Sequence, residues 1–263
     1  MTATHCPYAQ IRRYDCRRAP GSVEVDGDLQ KACWQGVAQT AVFADPDSGE
    51  RAHLASRAGL QWDEDFLYIG FWVDDPDVRT IGSQRLHLGW EENAAVACLA
   101  FSGATYELRL DPSGRAEALA LVWKDAYQRG GHYDRSEFDL ARLKPFVWGE
   151  DHKTDHARGV RWVFEGWELP GLRCAVQVDG ALNDRSRLDK GWTAEIALPW
   201  EGLALLDDKA VLPPRPKVNL RLQLGRTEVI QGPSSSAMAL WTWGRHGSGD
   251  LHVPECYPLV RLV

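Results

Sequence analysis

The sequence predicts an all-β chain, a two-sheet antiparallel β-sandwich with little helix, and three observations carry that expectation. First, residues 176–183 and 189–200 read as two strands joined by an Asp179-Gly180 turn and a polar loop. In the second of these, Trp192, Ala194 and Ile196 point inward, Thr193, Glu195 and Ala197 point outward, and Pro199-Trp200 stops the run. Second, residues 66–73 (Phe-Leu-Tyr-Ile-Gly-Phe-Trp-Val) are apolar on both faces, as a buried central strand must be. Third, helical periodicity is scarce, confined to a short run over 29–34 and a turn at 200–203.

The remaining elements follow from turn chemistry. Asp74-Asp75-Pro76-Asp77 ends the central strand, because proline cannot donate to a ladder and aspartate favours local turn bonds. Residues 94–101, the turn Ser102-Gly103 and residues 105–111 form a hairpin closed by Pro112-Ser113-Gly114, and the meander continues over 116–123. A polar excursion near 125–158 is longer than a connection requires and is expected to be a functional loop or lid carrying His132, His152 and His156. Strands recur at 160–164, 172–178, 192–198, 218–226, 240–243 and 259–263. The runs 23–29 and 176–182 share a Val-x-Val-Asp-Gly-x-Leu wording, which recurring Asp-Gly turns explain without a duplication. The expected organisation is an N-terminal extension over 1–21 and one sandwich domain over 22–263.

Composition bounds the function. A 44% apolar and 25% charged chain folds. Its 12 Trp must divide between the core and stacking platforms, with most in the core. A net charge of −7 excludes the dense basic surface that nucleic acid needs. No run approaches the roughly 20 apolar residues of a membrane span, and residues 1–6 lack a basic head and apolar core, so a cytoplasmic location is expected, or secretion if a signal has been removed. Cys6, Cys16, Cys33, Cys98, Cys174 and Cys256 contain no C-x-x-C pair and are expected as free thiols; a Cys6–Cys16 or Cys16–Cys33 disulfide is the secreted-protein alternative.

Several residues carry candidate chemistry. Asn219, Arg221 and Gln223 share one strand face, with Leu220, Leu222 and Leu224 on the other, and such planar donors suit polyol recognition or an ordinary solvated face. Glu107, Arg109 and Asp111 form a comparable row opposite Tyr106, Leu108 and Leu110. His152 and His156 have i,i+4 metal spacing but lie in a loop-like run. Asp74, Asp75, Asp77, Asp45 and Asp47 offer calcium ligands and equally form turns. Met238 and His252 are the candidate axial pair for a haem alternative. Ser234-Ser235-Ser236 lacks a nucleophile elbow.

Six segments in order resemble proteins containing a family 9 carbohydrate-binding module-like domain: Val25-Asp26-Gly27 with Trp34, residues 60–69, 106–114, Gly191-Trp192-Thr193-Ala194-Glu195, Asn219-Leu220-Arg221, and Trp243 with His252-Val253-Pro254. The resemblance implies a jelly-roll sandwich, sugars held between tryptophans at one face, and structural calcium. Trp90 and Glu91 match the family's first stacking run, while Asn93 and Val96 replace two of its acidic residues. At the second stacking position the chain has Leu251, so Trp241 or Trp243 is the substitute wall, only one of them facing the core, with His246 and His252 as hydrogen-bonding neighbours. The expected ligand is a saccharide or polyhydroxylated small molecule, bound without catalysis in a groove of Trp90, Glu91, Glu107, Arg109, Arg221, Gln223, Trp241, Trp243, His246 and His252. An enzyme acting on a glycoside or small metabolite in the same groove is the alternative.

Overall fold

Thirteen strands build the protein in a computed structural model that describes residues 11–80, 93–149, 156–207, 209, 214–231, 236–247 and 249–263. They are β1 (Arg13–Arg18), β2 (Ser56–Trp62), β3 (Phe66–Asp74), β4 (Ala94–Ala100), β5 (Ala104–Leu110), β6 (Ala116–Trp123), β7 (Phe146–Trp148), β8 (Arg161–Glu165), β9 (Arg173–Asp179), β10 (Gly191–Pro199), β11 (Asn219–Gln231), β12 (Ser236–Thr242) and β13 (Leu259–Leu262). Among the described residues helix is limited to α1 (Leu140–Leu143), α2 (Trp200–Leu203) and short 3₁₀ turns. No helix among the described residues is long and apolar enough to cross a membrane.

The strands run β7-β8-β6-β5-β4-β11-β13 in one layer and β2-β3-β10-β9 in the other, with β12 added to β11. β1 joins the layers. Its Arg13–Cys16 stretch pairs with β13 and its Arg17 and Arg18 pair with β2, both in parallel. β1 thus pairs within the sheets although it lies in the stretch 1–21 expected as an extension, and among the described residues every other strand pairing is antiparallel. The strand is hard to read from sequence, because Arg13-Tyr14-Asp15-Cys16-Arg17-Arg18 shows polar alternation without a long apolar run.

Inward residues of both layers meet in one core, including Leu60, Ile69, Phe71, Ala97, Leu99, Tyr106, Leu108, Leu110, Ala194, Ile196, Leu222 and Leu224. Eight of the eleven described Trp are buried and Trp72, Trp148 and Trp162 are half-buried, so none of them stands fully exposed as a platform. Both Trp241 and Trp243 join the core, against the expectation that only one could. Alternation itself accounts for this: residues 241 and 243 are two apart and so share a face, and Trp243 packs edge to face on Tyr14, 6.1 Å between ring centres.

Each layer is also covered on its outer side. The N-terminal segment carrying Val23, Leu29 and Trp34 lies on Tyr68 and Ala197. Glu195 and Ala197, expected outward into water, are buried beneath it. The turn at Gly27 has φ +83° and comes so close to the backbone of Val176 that a Cβ would sit 2.8 Å from it. On the other layer, Leu251 and Tyr257 cover Val96 and Cys98.

The 125–158 excursion is not a free lid in its described part. Tyr133 and Phe138 are buried in the core, and Phe138 stacks on Trp167 at 5.5 Å with 9° between planes. Asp139 caps α1 by accepting from the Ala141 and Arg142 amides. Cys16, Cys33, Cys98 and Cys174 are free, so neither proposed disulfide forms. Cys256 departs from the free-thiol expectation and is disulfide-bonded.

Candidate functional site

The alternation of β5 sends Tyr106, Leu108 and Leu110 into the core and Glu107, Arg109 and Asp111 to the outer side. None of these three outward residues is free in water. Arg109 Nε donates to Glu107 Oε1 at 2.5 Å, and Asp111 turns back to accept from the Ser113 and Arg115 amides. The C-terminal segment then brings His252 down onto the same glutamate. Its Nε2 donates to Glu107 Oε2 at 2.5 Å and its Nδ1 donates to Asp250 Oδ1 at 3.0 Å.

Electrostatics explains why this cluster holds. Burial alone would raise the Glu107 carboxyl, but Arg109 and the His252 imidazole outweigh it and bring it down to about 2. Burial likewise raises Asp250, and the His252 hydrogen bond with the nearby charges brings it down to about 2. Burial would lower His252, yet Glu107 and Asp250 on either side push it up, so the ring is an imidazolium that donates from both nitrogens. Arg161 on β8 closes the cluster by donating to the His252 carbonyl at 3.0 Å, with its guanidinium 4.8 Å from the Trp123 ring centre.

A second group pins the start of the same segment. Gln223 donates to the Gly244 carbonyl at 2.7 Å and accepts from the Gly244 amide at 2.8 Å, leaving its planar amide fully used. His246 shares that carbonyl through Nδ1 at 3.1 Å, and burial lowers its pKa. Arg221 donates to the Glu255 carbonyl at 2.9 Å, and Glu255 meets His156.

The structure thus brings Glu107, Arg109 and His252 together, and separately Gln223 and His246, but the outward strand faces are roofed by the chain itself. Trp241 and Trp243 are core residues and line no groove on this side. Trp90, Glu91 and His152 lie outside the described residues. His132 is held between the Leu205 carbonyl and Arg135, away from this cluster. Met238 is exposed on β12 whereas both His252 nitrogens are engaged by carboxylates, so the pair offers no axial ligation for haem.

The acidic runs also turn to other work. Asp75 is buried and pairs with Arg226 at 3.0 Å, Asp77 meets Arg79 and Arg185, and Asp45 caps a turn through Ser48. Among the described residues no three His, Cys, Asp or Glu side chains are grouped as metal ligands. Sequence reasoning missed Asp250, Arg161 and Trp148, whose ring centre lies 4.6 Å from that of His252. Only the Asp250-x-His252 spacing hinted at the first of them.

Beside the Glu107–Arg109 pair the roof leaves a cleft of about 600 Å³. Glu117 and Leu119 of β6, Glu165 at the end of β8, and Trp167 and Glu168 complete its walls. Its contents are an arginine fork, several carboxylates and apolar surface, a mixture suited to a neutral, hydroxyl-rich small molecule.

No family model matches the chain and no curated protein sequence does. Solved structures do share its fold. A family 9 carbohydrate-binding module from Caldicellulosiruptor kristjanssonii, solved with cellotriose, superposes with TM-score 0.52 at 13% identity, covering 95% of this chain and 93% of that one. The glucose complex of a family 9 module from that organism gives TM-score 0.54 at 13% identity, with 96% of each chain covered. A candidate carbohydrate-binding protein from Bacteroides uniformis gives TM-score 0.60 at 9% identity, covering 96% of this chain and 100% of that one. The protein has the family 9 module fold over nearly its whole described length.

Proposed function

We propose that the protein binds a saccharide or similar polyhydroxylated small molecule without catalysis, in the cleft beside Glu107 and Arg109. The observation that carries this reading is the placement of a buried, hydrogen-bonded Glu107–Arg109 pair on the wall of that cleft, in a fold shared with modules solved with glucose and cellotriose. Arg109 Nε is held by Glu107 Oε1, so the orientation of the guanidinium on the cleft wall is set before a ligand arrives and costs little further ordering. Trp90 and Glu91, which match the stacking run in sequence and lie just before Asn93, are assigned to ligand contact. Asn93 itself is structural, donating to the Arg79 carbonyl and accepting from the Val229 amide.

A glycoside-processing enzyme has less support. His252 has no exposed surface and spends both ring nitrogens on carboxylates, so it cannot reach a substrate proton. Thermal shift with glucose, cellotriose and a panel of oligosaccharides tests the binding reading, because ligand at a hundred times its Kd stabilises by about 2.7 kcal/mol. The expected result is a sugar-dependent shift lost in Trp90→Ala and weakened in Arg109→Lys, which keeps the charge but loses the fork. No shift with any sugar overturns the reading.

A further inference from the structure

The other layer carries a second feature that the cleft does not use. Register alone sets it out: Trp72 of β3, Thr193 of β10 and Gln177 of β9 face one another across three strands, and the next row is Asp74, Gly191 and Asp179. The two rows lie on the outer side, beyond the edge of the N-terminal cover, in a groove of about 410 Å³. That volume falls within the roughly 300–1,000 Å³ of small-molecule sites.

Each position has a physical reason to be there. Trp72 is half-buried and meets Trp34 in an edge-to-face pair, 6.0 Å between ring centres and 87° between planes. Gly191 has φ +143°, and a Cβ there would meet the Val73 carbonyl at 1.9 Å, so the middle of the second row is kept empty between two carboxylates. Asp74 is exposed and its carboxylate has no protein partner among the described residues. Asp179 is held in place by Lys190, whose Nζ reaches its two oxygens at 3.0 and 3.3 Å. Gln177 is anchored through Nε2 to the Asp26 carbonyl at 3.3 Å, which leaves its Oε1 to accept. Thr193 is tied to the Gly27 carbonyl at 2.7 Å and serves as floor.

We infer that this groove on β3, β10 and β9 is a second saccharide-binding site, taking a neutral pyranose with its C–H face against Trp72 and its hydroxyls donating to Asp74, Asp179 and Gln177. An apolar ring beside fixed acceptors matches a sugar's two-sided chemistry, apolar across the ring and donor-rich around it. The charge pattern sets the class. Two carboxylates against one lysine already committed to Asp179 repel uronic, sulfated and phosphorylated sugars.

The test is a titration of ¹⁵N-labelled protein with cellotriose, following the indole and backbone signals of Trp72, Gly191 and Thr193 alongside those of β5. The expected result is movement of both groups, with the β10 group unaffected by Trp90→Ala. Asp74→Ala with Gln177→Ala should weaken the β10 response by about a hundredfold, roughly tenfold for each lost hydrogen bond, and leave the β5 response in place. Both altered side chains are exposed, so an unchanged thermal midpoint confirms a folded variant. Trp72→Phe, which keeps an aromatic face, should retain most of the binding that Trp72→Ala removes. β10 signals that stay fixed at the highest cellotriose concentration, or that move equally in the double variant, overturn the inference. Movement of β10 alone upholds it while removing support from the β5 cleft.

Discussion

Glu107 and Glu195 occupy equivalent situations in the two layers. Each is an outward glutamate on a strand, each has no exposed surface, and each receives a segment that folds over the sheet from one end of the chain. Their partners differ in kind. Glu195 accepts from the Asp26 and Gly27 amides, from Trp34 Nε1 at 2.7 Å, and from Lys31 at 2.8 Å. Glu107 is held by two charged side chains, Arg109 and His252. The N-terminal cover is therefore clamped mainly by groups that do not titrate, and the C-terminal cover by one that does. A buried carboxylate can be satisfied by either chemistry, but only the second makes the fold depend on pH near neutrality.

The largest expected effect comes from removing a hub. Glu195→Ala strands two backbone amides, an indole N–H and an ammonium under the N-terminal cover, and should cost about 4 kcal/mol. Glu107→Ala should cost less, about 3 kcal/mol, because Arg109 lies against the cleft and His252 keeps Asp250. Urea unfolding at pH 6 checks both through the midpoint at constant m. Equal costs, or a Glu195→Ala cost below about 1 kcal/mol, would break the comparison.

pH separates the two clamps next. His252 is raised above its ordinary value of about 6.5, so its contribution is complete below that pH and is lost as pH climbs through its raised folded value. Glu107 and Asp250 are depressed, so theirs is present above the ordinary carboxylate range and lost as pH falls toward about 2. Unfolding free energy should fall as pH rises above 6.5, and His252→Gln should flatten that limb. A third group acts in the same direction. Burial, only partly offset by Arg226, lifts Glu228 to about 7 beside Asp75. Its contribution is present below its ordinary value of about 4.3 and is lost as pH rises through about 7. Glu228→Gln should be nearly neutral at pH 4 and stabilise by roughly 2 kcal/mol at pH 9, relative to wild type, in the same urea series.

The sandwich was legible in the sequence because its core strands announce themselves: residues 66–73 are apolar on both faces, and β5 and β11 alternate cleanly. The covers were not. Glu195 and Glu107 read as outward residues because alternation reports which face a side chain takes, not what lies over that face. Leu251 stands at the position matched to a stacking Trp, and in the fold it is buried against Val96 and Cys98 as part of the cover over those strands. His252 was singled out for its chemistry, and its partner Glu107 lies 145 positions away, a pairing no local pattern encodes. Trp241 and Trp243 fail as groove walls because residues two apart on a strand share a face, and here that face is the core.

The smallest effect asks whether the N-terminal clamp needs its one charge. Lys31 is partly exposed, bonds to the Glu24 carbonyl, and lies 2.7 Å from Asp26 and 2.8 Å from Glu195. Burial would lower it, but Asp26 and Glu195 prevail and raise it, so its contribution is complete below its ordinary value near 10.4 and vanishes only above that. Lys31→Met keeps the stem that packs along the segment and removes the ammonium. Glu195 would still accept from two amides and an indole, so the expected cost is about 1 kcal/mol, constant from pH 5 to 9 in the urea midpoint. A cost near that of Glu195→Ala would mean that the ammonium, not the backbone cradle, holds the cover. The two clamps would then share one mechanism and differ only in the pH at which the cation is lost.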